Sequence, residues 1–239
     1  MKMPTRFARA ARLLIVLAIV ACDRSPEKET GARPDSAAAP AATANAVADP
    51  RVAAADSSRI QGSADAPVWI IEISDFQCPY CKVWHDRTYG AIKREYLDTG
   101  RARLAYVNFP LGQHQHARLA AEAALCAGAQ GRFWEMHDAL FDTQDEWSRL
   151  PSADSIFLAL AQRAGVNAEE QRACLASDVM LPLVQADLER ARGAGAQSTP
   201  TFIIGDERIE GAAPIEDFRR MIDAALAARA ATPAAPPAP

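Results

Sequence analysis

Cys78-Pro79-Tyr80-Cys81 puts two thiols one helical turn apart, close enough to close one disulfide or to share a metal. The run ahead of it, Val68-Trp69-Ile70-Ile71-Glu72-Ile73-Ser74, is apolar and rich in β-branched residues, the signature of a buried strand. The stretch from Pro79 to about Tyr96 has helical character. The pair therefore falls where a strand feeds a helix. With Cys78 at the N-cap, Pro79 takes the first helical position, where its missing N–H costs nothing. The backbone N–H groups of Tyr80 and Cys81 are then expected to point at the Cys78 sulfur. Together with the positive helix end they favour thiolate over thiol. A thiol of lowered pKa both attacks and leaves well in disulfide exchange. Cys81, further in, is expected to be more buried and to act as the resolving thiol. The competing reading is half of a zinc site. The other cysteines form no second C-x-x-C, and no histidine spacing completes a tetrahedral set.

The elements that must hold this pair are legible around it. Arg103-Leu104-Ala105-Tyr106-Val107-Asn108-Phe109 reads as the second strand of a βαβ unit. The next strand cannot begin before Thr201, and the residues between far exceed one crossover helix. They carry helical patterns instead. Phe157, Leu160, Ala161 and Ala164 share a face, Asn167 with Glu170 is similar to a capping box, and Gly193 and Gly195 close the last helix.

With Ser198-Thr199-Pro200-Thr201-Phe202-Ile203-Ile204 added, the chain resembles the thioredoxin superfamily, and more closely its DsbA-like thiol:disulfide oxidoreductases. The matching pieces are DFQCPYC at 75–81, Glu72 six residues before the first cysteine, and TPTFIIG at 199–205; the resemblance spans about 60–225. It implies an α/β, thioredoxin-like fold with a central mixed sheet and an all-helical insertion at about 112–195. Glutaredoxins, which also favour C-P-Y-C, have no such insertion. It further implies a redox-active Cys78–Cys81 disulfide and a cis bond between Thr199 and Pro200. That bond would bring the Thr199 backbone beside the sulfurs to pair with a client's extended chain. Without the family, Pro200 merely starts a strand. Glu72 resembles the family's buried acid, which takes or relays the Cys81 proton; the alternation of the strand alone leaves a surface-facing acid open. Ser198 stands where many relatives carry Gly, with no change of chemistry expected. The implied activity is oxidation of substrate thiols to disulfides, without a cofactor. The alternatives are a reductase or isomerase on the same fold, a metal-delivery module using the C-x-x-C with His114 or His116, and a non-enzymatic peptide-binding chaperone. The isomerases carry an N-terminal dimerisation domain for which residues 23–58 look too unstructured, so a monomer is expected.

Five cysteines are present. Acylation of Cys22 and pairing of Cys78 with Cys81 would leave Cys126 and Cys174 for one another, as a structural disulfide across two helices of the insertion. Two unlinked buried thiols, or a second redox pair, are the rivals. His114 and His116 form an H-x-H that reads as solvated loop and helix start, with metal ligation as the alternative. His137, among Phe133, Trp134, Met136, Leu140 and Phe141, reads as a packing residue.

Residues 1–21 read as an export signal. Lys2, Arg6, Arg9 and Arg12 precede the apolar run Leu13 to Ala21, too short to span a bilayer. Ile19-Val20-Ala21-Cys22 is similar to a bacterial lipobox, in which the cysteine is lipidated. The alternative is ordinary export after Ala21. Asp23 resembles a signal for retention at the inner membrane. Residues 22–58, rich in Ala, Pro, Ser, Asp and Thr, read as a lipidated, disordered tether reaching roughly 30–36 Å. Residues 230–239 read as a disordered tail, which leaves 59–229 as the folded domain. The expected setting is the periplasm or cell envelope, with exported, incompletely folded cysteine-containing proteins as clients and a membrane redox partner. Of 239 residues, 49% are hydrophobic and 23% charged, which excludes global disorder. Loss of the leader leaves 22 basic residues against 30 acidic ones, a charge of −8, which argues against nucleic acid.

Overall fold

A computed structural model describes residues 49–231 of the protein. The export signal, Cys22 and most of the expected tether and tail lie outside the described residues. In chain order the elements are α1 (Pro50–Ser58), β1 (Ile60–Gly62), β2 (Val68–Ser74) and α2 (Pro79–Trp84). A π-helical turn (His85–Tyr89), α3 (Gly90–Ile92) and a second π-helical turn (Lys93–Leu97) continue from α2. Then follow β3 (Ala102–Asn108), α4 (Ala117–Gly128), α5 (Phe133–Asp142), α6 (Gln144–Trp147), α7 (Asp154–Arg163), α8 (Ala168–Ala176) and α9 (Leu181–Gly193). The chain returns through β4 (Thr201–Ile204), β5 (Glu207–Glu210) and α10 (Ile215–Ala231). Among the described residues no helix is long and apolar enough to cross a membrane.

The five strands form one mixed sheet in the order β1-β3-β2-β4-β5. Only β2 and β3 run parallel, with Glu72 opposite Tyr106 and Ser74 opposite Asn108. Six helices, α4 to α9, separate β3 from β4, which is the all-helical insertion the sequence implies. Asn167 caps α8 by accepting from the N–H groups of Glu169 and Glu170. Val68 and Ile70 face one side of the sheet with Trp84, Ile92, Phe202 and Phe218. Ile73 faces the other with Phe109 and Ala191 of α9. Most of the insertion makes its own core, which includes Leu125, Phe133, Phe141, Trp147 and Phe157 and reaches the sheet at Tyr106 and the cysteine pair at Cys78 and Cys81.

Residues 49–58, expected to close the tether, belong to the folded domain. Pro50–Ser58 form α1, with the Asp49 carboxylate accepting from the Arg51 N–H and Pro50 in the first turn. Ala55 is fully buried against α4, and a β-carbon on Gly128 would collide with the Ser58 hydroxyl, so glycine permits that approach. Arg59 then anchors the N-terminal segment. Its guanidinium donates to the Tyr106 carbonyl at 2.9 Å and to the Asp187 carboxylate of α9 at 2.5 Å. The same Asp187 oxygen accepts from the Asn108 side chain at 2.9 Å. Small residues hide this docking from a reading based on apolar periodicity. At the other end α10 runs on to Ala231, slightly into the expected tail.

Candidate active site

Strand β2 delivers Asp75-Phe76-Gln77 to the helix start, and Cys78 is the N-cap of α2 with extended backbone (φ −72°, ψ 124°). Pro79 opens the helix, and both Cys78 and Cys81 are buried free thiols. Tyr80 between them is 66% exposed. Across the site the Thr199–Pro200 peptide is cis, and the Cys78 thiol donates to the Thr199 carbonyl at 3.4 Å. The structure thus brings Cys78, Cys81, Thr199 and Pro200 together.

The two sulfurs are polarised in opposite senses. The Cys78 pKa is lowered to about 6, first by the Cys81 thiol beside it. Burial opposes this; the Thr199 side chain and the backbone N–H groups of Cys81 and Tyr80 reinforce it. The helix start therefore contributes, but less than expected: Cys78 makes no capping hydrogen bond. A protonated sulfur is a weak acceptor, and its hydrogen is directed to Thr199. Cys81 is pushed well above its ordinary value by burial and then by its neighbour Cys78. Cys78 is thus the thiolate former and Cys81 the proton holder.

Glu72 lies on the same face of β2 as Ser74 and is fully buried. Burial raises its pKa to about 8, with the Ser74 hydroxyl and the charge of His85 drawing it partly back. The Cys81 thiol is itself influenced by Ser74, and the Tyr106 hydroxyl by both Glu72 and Cys81, so these groups form one buried cluster.

Several residues that fix this geometry carry no signal in local spacing. Asp75 is buried and accepts from the Gln77 N–H at 2.7 Å, the Leu111 N–H at 2.8 Å and His114 Nδ1 at 2.7 Å. Gln77 accepts from the His116 N–H at 2.7 Å and donates to the Ser148 carbonyl at 2.8 Å. Gln144 donates to the carbonyls of Phe76 and Cys78. The insertion thereby clamps the loop that presents Cys78. His114, expected in a solvated loop, is instead held above its ordinary pKa, first by Asp75, against its partial burial, and with a contribution from Cys78. His116 Nε2 is occupied by the Leu150 carbonyl at 2.7 Å. Neither histidine joins the cysteines in a metal-ligating set. Among the described residues the clusters with such chemistry are His85, His137 and Asp138, and His85, Asp86 and Asp142, and neither contains a cysteine. The His85 and His137 imidazoles are already bonded to the Asp138 carboxylate, at 3.4 and 2.8 Å. Away from the site, Cys126 of α4 and Cys174 of α8 are joined by a disulfide, with Cα atoms 5.9 Å apart.

The sequence family described as thioredoxin matches residues 54–224. The chain is 34% identical over 173 residues to a Na(+)/H(+) antiporter NhaA 3 of Salinispora tropica, which covers 72% of this chain but spans only a quarter of that relative's length. It is 25% identical over 173 residues to disulfide bond formation protein D of Bacillus subtilis, covering 70% of this chain and 76% of that one. The crystal structure of oxidised BdbD from Bacillus subtilis superposes with a TM-score of 0.65 at 25% identity, over 71% of this chain and 92% of that one. The match to the family, the cis proline facing a C-x-x-C at a helix start, and the helical insertion agree: the chain belongs to the thioredoxin family, in its DsbA-like form.

Proposed function

We propose that the protein is an extracytoplasmic thiol:disulfide oxidoreductase working in the oxidising direction. The observation that carries this is the opposite polarisation of two adjacent sulfurs, one easily ionised and one held protonated. In the oxidising half-reaction a client thiolate attacks Cys78 of the Cys78–Cys81 disulfide. The new bond joins client and Cys78, and Cys81 leaves as a thiolate that takes a proton, with Glu72 as the nearby acid. A second client thiolate then displaces Cys78, whose lowered pKa makes it a good leaving group. The client gains a disulfide, and the enzyme leaves as a dithiol. The Thr199 backbone beside the sulfur is positioned to pair with an extended client segment. Clients would be exported proteins not yet folded, since their cysteines must be accessible. The two electrons gained would pass to a membrane redox partner. Lipidation at Cys22, in the sequence outside the described residues, would hold a monomeric domain beside that partner at the envelope. Expression of Cys81→Ala in the native host should accumulate mixed disulfides on Cys78 that reducing electrophoresis releases. Adding Cys22→Ser should shift the same adducts from membrane to soluble fraction. A Cys81→Ala strain with no reducible adducts would sink the oxidoreductase reading, and adducts that stay membrane-bound with Cys22→Ser would sink the anchor.

A further inference from the structure

Where the π-helical turn after α2 meets α5, two imidazoles from different elements converge on one carboxylate oxygen. His85 Nε2 lies 3.4 Å from Asp138 Oδ1, and His137 Nδ1 lies 2.8 Å from the same atom. The three atoms that could ligate a metal all lie within 4.8 Å of one another. Ligands held tetrahedrally by zinc at about 2.0–2.2 Å stand roughly 3.3–3.5 Å apart. One pair already has that spacing, and the other must widen by about half an ångström. The Asp138 side chain is 48% exposed, so it can give way and leaves a route in from solvent. The two rings are fixed by packing. His85 stacks on Phe141 and Tyr89, and fully buried His137 meets Phe141, Tyr89 and Tyr106 edge-on. Donors already held in place need little ordering to bind.

The far nitrogen of each ring suits the same role. His85 Nδ1 lies 3.2 Å from Asp86 Oδ1, and Lys82 Nζ holds the Asp86 carboxylate at 3.0 Å. A neutral imidazole has one N–H to share between its two carboxylates. With a metal on Nε2, that proton sits on Nδ1 and donates to Asp86, the outer carboxylate that orients metal-bound histidines. His137 Nε2 is buried with no hydrogen-bond partner among the described residues. The ring proton can therefore move from Nδ1 to Nε2 with no hydrogen bond lost at that end, which frees Nδ1 for a metal. Asp142 gathers with Asp86 about His85 and adds negative charge on the open side. Two imidazoles with one carboxylate suit zinc; calcium and magnesium take oxygen shells.

We propose that His85, His137 and Asp138 bind a zinc ion, apart from the cysteine pair, that ties the π-helical turn after α2 to α5 of the helical insertion. His85 supplies Nε2, His137 supplies Nδ1 and Asp138 one carboxylate oxygen, with solvent at the fourth position. The ion takes the place of the hydrogen bonds that now join the two rings to Asp138. It braces the insertion against the continuation of the helix that carries Cys78 and Cys81, so its first effect is on stability. Neither cysteine is a ligand, and the site stands independently of the thiol:disulfide reading.

The test is calorimetric titration of the untagged full chain with zinc sulfate. Cys78 and Cys81 are first joined as a disulfide and any remaining thiol is blocked with iodoacetamide, so that no thiolate takes up metal. One zinc ion should bind per chain and raise the Tm, and EDTA should reverse the rise. Asp138→Asn and His85→Gln should each weaken binding about tenfold or more, and Asp86→Asn, which removes only the outer carboxylate, about tenfold. Asp138→Asn, at a half-exposed position, decides the matter should His85→Gln not fold. A wild-type protein that takes up no zinc overturns the proposal, as does wild-type affinity in Asp138→Asn. Binding lost in His114→Gln but kept in Asp138→Asn would put the ion elsewhere and overturn it too. None of these failures touches the redox chemistry of Cys78, which mixed-disulfide trapping reads separately.

Discussion

The Cys78 thiol is drawn down first by Cys81 and then, against burial, by Thr199 and the helix-start N–H groups, and its charge is felt by His114, 36 positions further along the chain. His114 is pinned by Asp75, itself fully buried and two hydrogen bonds deep in the loop that presents the sulfur. The thiolate of Cys78 helps hold His114 protonated, and linkage requires the converse: an imidazolium at 114 favours the thiolate. His114→Gln should therefore raise the Cys78 pKa. At pH 6 alkylation of Cys78 by iodoacetamide should slow about twofold to fivefold. Well above neutrality, where His114 has lost its proton and Cys78 is ionised in both proteins, the rates should converge. Equal rates at pH 6 would mean that His114 serves only to hold the loop. The H-x-H spacing gave no hint of this, because the contact that matters joins positions 75 and 114 through the tertiary fold.

At the scale of elements, the strands and helices with strong patterning were readable and the small-residue contacts were not. β2, β3, the helix after Cys78 and the capping of α8 follow from β-branched runs, Pro79 and Asn167. α1 escaped because its buried face is alanine, although Asp49-Pro50 is a helix-start signal in its own right. β1 is three residues long, below what alternation can reveal. The Arg59–Asp187 ion pair spans 128 positions and has no sequence signature. The Cys126–Cys174 bond ties α4, on which α1, α5, α7, α8 and α9 all pack, to α8. Its 48-residue separation gives about 4 kcal/mol in the chain-entropy account of cross-links. Cys126→Ala with Cys174→Ala should lower the urea stability of the reduced-site protein by about 2–4 kcal/mol while leaving the Cys78 alkylation rate unchanged. A lost fast alkylation in a still-folded variant would show that the insertion's bond tunes the site and does more than brace the clamp around it.

For the molecule as a whole, the direction of electron flow is a statement about folding stability. A thermodynamic cycle links the potential of the Cys78–Cys81 pair to the stability of the dithiol protein relative to the disulfide protein. The disulfide form has no Cys78 proton to lose, so the lowered pKa stabilises only the dithiol form. With a folded pKa of about 6 against an ordinary 9.0, this contribution is fully present above pH 9 and is lost as pH falls through 6. At pH 7 it is on the order of 1 kcal/mol, or about 20–30 mV towards an oxidant, with allowance for solvent screening. Glu72 works on both redox forms: its raised pKa favours folding below about 4.5 and loses that stability as pH rises through about 8. The difference between the forms is therefore the cleaner observable. Urea unfolding of dithiol and disulfide proteins at pH 7 should give the dithiol form the higher stability. The gap should shrink between pH 7 and pH 5 as Cys78 takes up its proton. A disulfide form that proves the more stable at pH 7 would reverse the physiological direction, making the same two sulfurs a source of electrons for clients and not a sink.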